Sequence, residues 1–191
     1  MAVDAGADVR RTLDDIQQRL EPTEARSWAI DRLNEMFRTG RAPEPQPEGF
    51  LEGRLVTMSL TTPSDALVRR LGRMWMPWLG KSFDPAAQTG VNVLTKSARG
   101  PMRALWPNYV PERELTDRIE AFPFKTRIAP GEVDPDVTVL KIDYDSEPNP
   151  NLIIRRILDE LVQVDDRLYL GKILFRRRGS WLPIGFFSLQ S

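Results

Sequence analysis

The sequence predicts a mainly β protein: an antiparallel barrel or strongly curved sheet that follows N-terminal α-helices and is interrupted by short helical insertions. Three observations carry this. From Phe50 onward the chain falls into short β-like runs separated by turn residues. Within those runs the faces differ. Thr138, Leu140, Ile142 and Tyr144 share one face and Val139, Lys141 and Asp143 the other, while Phe122, Phe124 and Ile128 oppose Lys125 and Arg127. Alternating strand-helix units are missing, which argues against a doubly wound fold. At 191 residues the chain suits one core rather than two.

Residues 8–19 place Val9, Leu13, Ile16 and Leu20 at helical spacing, and Glu21-Pro22 ends that helix. Thr23 can cap a second helix, whose Trp28, Leu33, Met36 and Phe37 offer an apolar face to a sheet or to a partner until Thr39-Gly40 stops it. Residues 41–49, RAPEPQPEG, hold three prolines and read as a stiff linker. The expected division is a helical segment with its linker over 1–48 and a barrel domain over 49–191. Strands are expected at Phe50–Leu60, Gly90–Ser97, Ile119–Ile128, Val137–Tyr144, Leu161–Val164, Leu168–Arg177 and Trp181–Leu189. Two helical insertions are expected among them. One runs from Ser64 or Asp65 through Met74 to Trp78; the other is opened by Asn149-Pro150, with Ile153, Ile154, Ile157, Leu158 and Leu161 on one face.

What the chain lacks narrows its chemistry. Basic and acidic residues number 27 each, so no global positive field draws nucleic acid or anionic lipid, and Arg155-Arg156 and Arg176-Arg177-Arg178 suit solvated surfaces. Without cysteine there is no disulfide, thiol nucleophile or thiolate metal site, and a cytoplasmic location is expected. Without histidine there is no Ser-His-Asp triad, imidazole base, or histidine-bound haem or zinc. Any catalysis would run on carboxylates, Tyr, Lys, Arg or backbone groups. Met1 to Arg19 interleaves Asp and Arg with no apolar stretch, so neither signal peptide nor anchor is expected, and no segment reaches the roughly 20 apolar residues of a membrane span. No phosphate loop, dinucleotide fingerprint or G-x-S-x-G elbow occurs, and no cofactor or metal is expected.

The stretches GFLEGRLV at 49–56, WMPWLGKSFD at 75–84, GVN at 90–92 and the closing YLGKILF and IGFFSL resemble those of calycin-like barrels, the broad group of lipocalins and fatty-acid-binding proteins. WLGKSFD is also similar to the W-x-GK-x-F element of bacterial GXWXG-type proteins. The calycin resemblance implies a central cavity for a small, mostly apolar molecule. The nitrobindin-type barrels of that group hold haem through histidine, and here the chain departs from them.

Candidate ligand-binding residues follow from residue chemistry. Trp75 and Trp78, flanked by Met and ended by Gly80, can wall an apolar pocket or plug one barrel end. Lys81 and Lys172 each follow Leu-Gly; an inward lysine could pair with a ligand carboxylate or form a Schiff base. Lys172 shares a face with Leu168, Leu170 and Leu174, whereas Lys125 and Lys141 are expected to face water. Phe83 and Phe124 are inward aromatics, and Asn92, Tyr109, Tyr144 and Tyr169 are polar groups beside apolar runs, able to orient a ligand. Tyr109 sits in LWPNYVP, a loop expected over a barrel end. Asp143, Asp145, Glu147, Asp159 and Glu160 fit loop solvation and capping better than a catalytic pair.

Three functions follow. The first is binding of a small hydrophobic molecule, lipid, polyketide or terpenoid-like, in the barrel. The second is a cofactor-free cyclase or isomerase acting on such a molecule, marked by a buried carboxylate or lysine with a perturbed pKa. The third is partner binding through the N-terminal helices. A homodimer is compatible with each.

Overall fold

The computed structural model describes residues 9–15, 23–58, 77–151 and 153–191. Among these, nine strands form one antiparallel sheet: β1 (Gly49–Met58), β2 (Trp78–Asp84), β3 (Thr89–Thr95), β4 (Arg113–Glu114), β5 (Arg118–Pro130), β6 (Thr138–Asp143), β7 (Ile157–Asp165), β8 (Leu168–Arg177) and β9 (Ser180–Gln190). Their order is β3-β2-β1-β9-β8-β7-β6-β5-β4, and β3 also pairs with β5. Eight strands therefore close into a barrel, with β4 a short addition to β5. Closure leaves those strands without a free edge. Helical residues are described at 9–15 (α1), Thr23–Thr39 (α2) and Arg99–Leu105 (α3). No described helix is long and apolar enough to cross a membrane.

The period-two alternation sorts side chains into two cores. Inside the barrel lie Leu51, Phe83, Phe124, Leu140, Ile142, Tyr144, Leu161, Ile173, Phe187 and their neighbours. The second core lies on the outer face. There Ala29, Leu33, Met36 and Phe37 of α2, with Leu13 of α1, pack on Val56, Val139, Val162, Leu168, Leu170 and Phe186. The apolar stripe of α2 thus faces the barrel, as the packing alternative expects, while Trp28 remains exposed.

The second helix, the first over its described residues 9–15, and the strands within 50–58, 89–95, 118–130, 138–143, 168–177 and 180–190 match the expectation. The insertion expected from Ser64 to Trp78 lies outside the described residues except at its end, where Trp78 begins β2. The helix expected from Asn149-Pro150 is corrected: only a 3-10 turn at Ile154–Arg156 forms, and Ile157 opens β7. β7 is buried on both faces because one lines the barrel and the other lies under α2, which hides the alternation. Lys141 is also corrected. It points outward as expected, yet it is buried, 2.5 Å from Glu132 and 3.9 Å from Glu160.

Candidate functional site

A polar cluster sits inside the apolar barrel. Its members are Trp78 and Lys81 of β2, Asn92 of β3, Tyr144 just beyond β6, and Asp159 of β7. Lys81 and Asn92 are cross-strand partners. An irregularity between Trp78 and Gly80 allows two inward side chains three residues apart. Gly80 has φ +150°, and a Cβ there would collide with the Leu51 carbonyl, so the backbone at this point requires glycine.

Lys81 Nζ lies 2.9 Å from Asp159 Oδ2 and donates to Asn92 Oδ1 at 3.0 Å and to the Tyr144 hydroxyl. The Tyr144 hydroxyl donates to Asp159 Oδ2 at 3.1 Å and accepts from Asn92 Nδ2 at 3.1 Å. Asn92 also accepts from the Trp78 indole N–H at 3.2 Å and donates to the Phe122 carbonyl at 3.2 Å. Lys81 and Asp159 are both fully buried. Burial disfavours their charged forms: it pulls the Lys81 ammonium down and pushes the Asp159 carboxyl up, and their mutual attraction offsets this only in part. Burial, then the Asp159 charge, raise the Tyr144 phenol well above its ordinary range.

Beside the cluster a cavity is lined by Trp78, Leu94, Phe122, Ile154 and Ile157, with Asn92 and Tyr144 as its polar groups. The space open to the centre of a water-sized sphere is about 20 Å³, within a total empty volume of about 340 Å³ that includes solvent-open space. That space suits a single water or hydroxyl. Phe122 forms the wall toward the outside: Tyr109 stacks on its ring at 5.0 Å and Trp106 meets it edge-on at 5.5 Å. Beyond lies a groove of about 450 Å³ lined by residues 105–109 and 147–151. Phe122 has φ +53°, a strained conformation for a bulky residue, at a point where Phe122 and Pro123 oppose the single Val91. The Tyr109 hydroxyl accepts the Phe122 N–H at 2.6 Å. Burial pushes the Tyr109 phenol up to about 12.

Of the candidates named from sequence, Trp78, Lys81, Phe83, Asn92, Phe124 and Tyr144 come together. Phe124 meets Phe83 and Tyr144 edge-on at 5.4 and 5.5 Å. Tyr109 lies at the rim, Tyr169 elsewhere in the inner core, and Trp75 outside the described residues. Lys172 is on the outer face beneath α2, where it donates to Asp134 and its Nζ lies 4.4 Å from the Phe37 ring centroid. Leu168 and Leu170, which share its face, belong to the second core, so an apolar strand face here does not mark the barrel interior. Asp159, Phe122, Leu94, Ile154 and Ile157 were not singled out as ligand contacts. The Ile157, Asp159, Leu161 alternation was the signal for Asp159, obscured by the helical reading. Asp143, Asp145 and Glu147 are surface partners of Arg127, Arg155 and Arg176.

No family model matches the chain, and no curated protein matches it. A crystal structure of a protein from Thermomonospora curvata is similar at 17% sequence identity with a TM-score of 0.46, over 92% of this chain and 97% of that one.

Proposed function

We propose that the barrel binds a small, mostly hydrophobic molecule, lipid, polyketide or terpenoid-like, in keeping with the central cavity that the calycin resemblance implies. One observation carries this reading: a cavity whose lining combines five apolar side chains with two polar ones, Asn92 and Tyr144, that belong to a buried hydrogen-bonded cluster. Ligand pockets combine apolar walls with a few fixed polar groups in this way. The test is native mass spectrometry of protein purified from its own host, with tryptophan fluorescence followed as bound small molecules are extracted. A co-purifying apolar compound whose removal changes the fluorescence supports the reading. Repeated empty preparations, with no response to a lipid and polyketide panel, defeat it.

A second reading is favoured by the ionisable trio to which the lining residue Tyr144 belongs. Lys81, Tyr144 and Asp159 share hydrogen bonds and have pKa values displaced by burial, the condition for acid-base work in a cofactor-free cyclase or isomerase. Solvent-deuterium incorporation into a bound polyene or polyketide, lost in Tyr144→Phe, would distinguish turnover from passive holding.

A further inference from the structure

We propose that the cavity receives the hydrocarbon end of its ligand and turns away oxygenated ends, with Asn92 and Tyr144 setting this specificity because their hydrogen bonds are already committed. The inference rests on the ligand-binding reading above and names which part of the molecule enters. Asn92 and Tyr144 are polar side chains of the described lining, and Trp78 adds an indole N–H. Groups of this kind in an apolar pocket ordinarily hold a ligand's polar head. Here each of them is turned to its neighbours instead.

The Asn92 amide nitrogen donates to the Phe122 carbonyl at 3.2 Å and to the Tyr144 hydroxyl at 3.1 Å, while its oxygen accepts from the Trp78 indole at 3.2 Å and from Lys81 at 3.0 Å. An amide side chain has two N–H donors and two lone pairs, so these four bonds exhaust it. The Tyr144 hydroxyl donates its proton to Asp159 Oδ2 at 3.1 Å and accepts from Lys81 and Asn92, which fills both acceptor positions. The indole N–H is already on Asn92. A hydroxyl, amide or carboxylate entering the cavity would leave its water and either find no partner on these side chains or break one of their bonds to gain one, and both cost free energy. A methyl group makes no such demand. Size does not separate the two, since a space of about 20 Å³ admits a hydroxyl or a methyl. The rest of the lining, Leu94, Phe122, Ile154 and Ile157, offers apolar side chains. Molecules ending in an alkyl or isoprenoid group therefore fit better than molecules oxygenated throughout.

The test titrates pentan-1-ol and pentane-1,5-diol into the full chain carrying ¹³C-labelled isoleucine and leucine methyls. Pentan-1-ol has one end of each kind, so intermolecular nuclear Overhauser effects to Ile154 and Ile157 report which end goes in. Cross-peaks are expected from its terminal methyl and not from the methylene beside its hydroxyl. The diol, which has no hydrocarbon end, is expected to bind at least about tenfold more weakly. Trp78→Phe removes the indole donor, frees a lone pair on Asn92 Oδ1, and should narrow that gap by about threefold or more. Cross-peaks from the hydroxyl end of pentan-1-ol, or a diol that binds the wild type as tightly as the alcohol, overturn the proposal, as does an unchanged gap in folded Trp78→Phe. The wild-type comparison needs no variant and stands even if Trp78→Phe fails to fold. If neither probe moves the Ile154 and Ile157 methyl resonances, the ligand-binding reading falls and takes this inference with it.

Discussion

Lys81 and Asp159 form an ion pair with both side chains fully buried inside the barrel. Moving two charges out of water costs several kcal/mol per ion, and attraction with added hydrogen bonds offsets this only when the geometry is good. Here Asn92 and Tyr144 supply those bonds. Removing one partner leaves the other buried without its counterpart, so Lys81→Met or Asp159→Asn alone should lower the unfolding free energy by about 3–5 kcal/mol. The double variant Lys81→Met/Asp159→Leu should lose far less, because no orphaned charge remains. Urea unfolding of the four proteins checks this, and equal losses in the single and double variants would show that the Tyr144 and Asn92 bonds matter more than the charges. Six members of the site were readable as residue types beside apolar runs. Asp159 was not: a lone carboxylate followed by Glu160 looks like solvated surface until Ile157 and Leu161 are seen to share its strand face.

At the scale of elements, the informative segment is the bend of β5. Phe122 holds a positive φ that a bulky side chain rarely adopts, and the surroundings must over-determine it. They do so with two aromatic contacts and one short hydrogen bond to Tyr109. Tyr109→Phe keeps the stacking ring and deletes the acceptor, leaving the Phe122 N–H without that partner. A loss of about 1–3 kcal/mol is expected, with faster amide exchange at Phe122 than at its β5 neighbours. Unchanged exchange there would mean that strand pairing alone maintains the bend. The strands with one apolar face, such as β6, were legible by alternation; β7 was not, because both its faces are covered. The bend was illegible too, since Phe-Pro-Phe carries no mark that one aromatic will sit in the left-handed region.

For the whole molecule the question is whether the N-terminal helices are a separable attachment or part of the barrel's fold. The chain was expected to divide at residues 48 and 49, yet α2 covers an apolar outer face comprising Val56, Val139, Val162, Leu170 and Phe186. It is also tied by charge: Arg38 lies 2.8 Å from Asp134, which in turn holds the buried Lys172. Burial works against Asp134 ionising, but the hydrogen bonds and charges of Lys172 and Arg38 outweigh it and keep the carboxyl below its ordinary value. A carboxyl whose folded pKa is depressed stabilises the fold above its unfolded pKa, near 3.9, and that contribution disappears as pH falls through the folded value. The stability gap between wild type and Asp134→Asn should therefore be full at neutral pH and narrow steadily below about pH 4; a gap independent of pH would remove the charge from the account.

Truncation tests the same union more severely. Phe37 and Leu33 are fully buried against the barrel, and cutting either to Ala should cost about 2–5 kcal/mol, a large share of a typical domain's stability. Deleting residues 1–45 removes both, uncovers the outer core, and leaves Lys172 without the Phe37 ring and Asp134 without Arg38. The expected outcome is a chain that aggregates or unfolds cooperatively at much lower urea than the intact protein. The alternative, a folded barrel that has merely lost a binding partner, would appear as an unchanged near-ultraviolet spectrum and an unchanged urea midpoint. That result would separate the helices from the fold and return them to the role of a partner-binding surface.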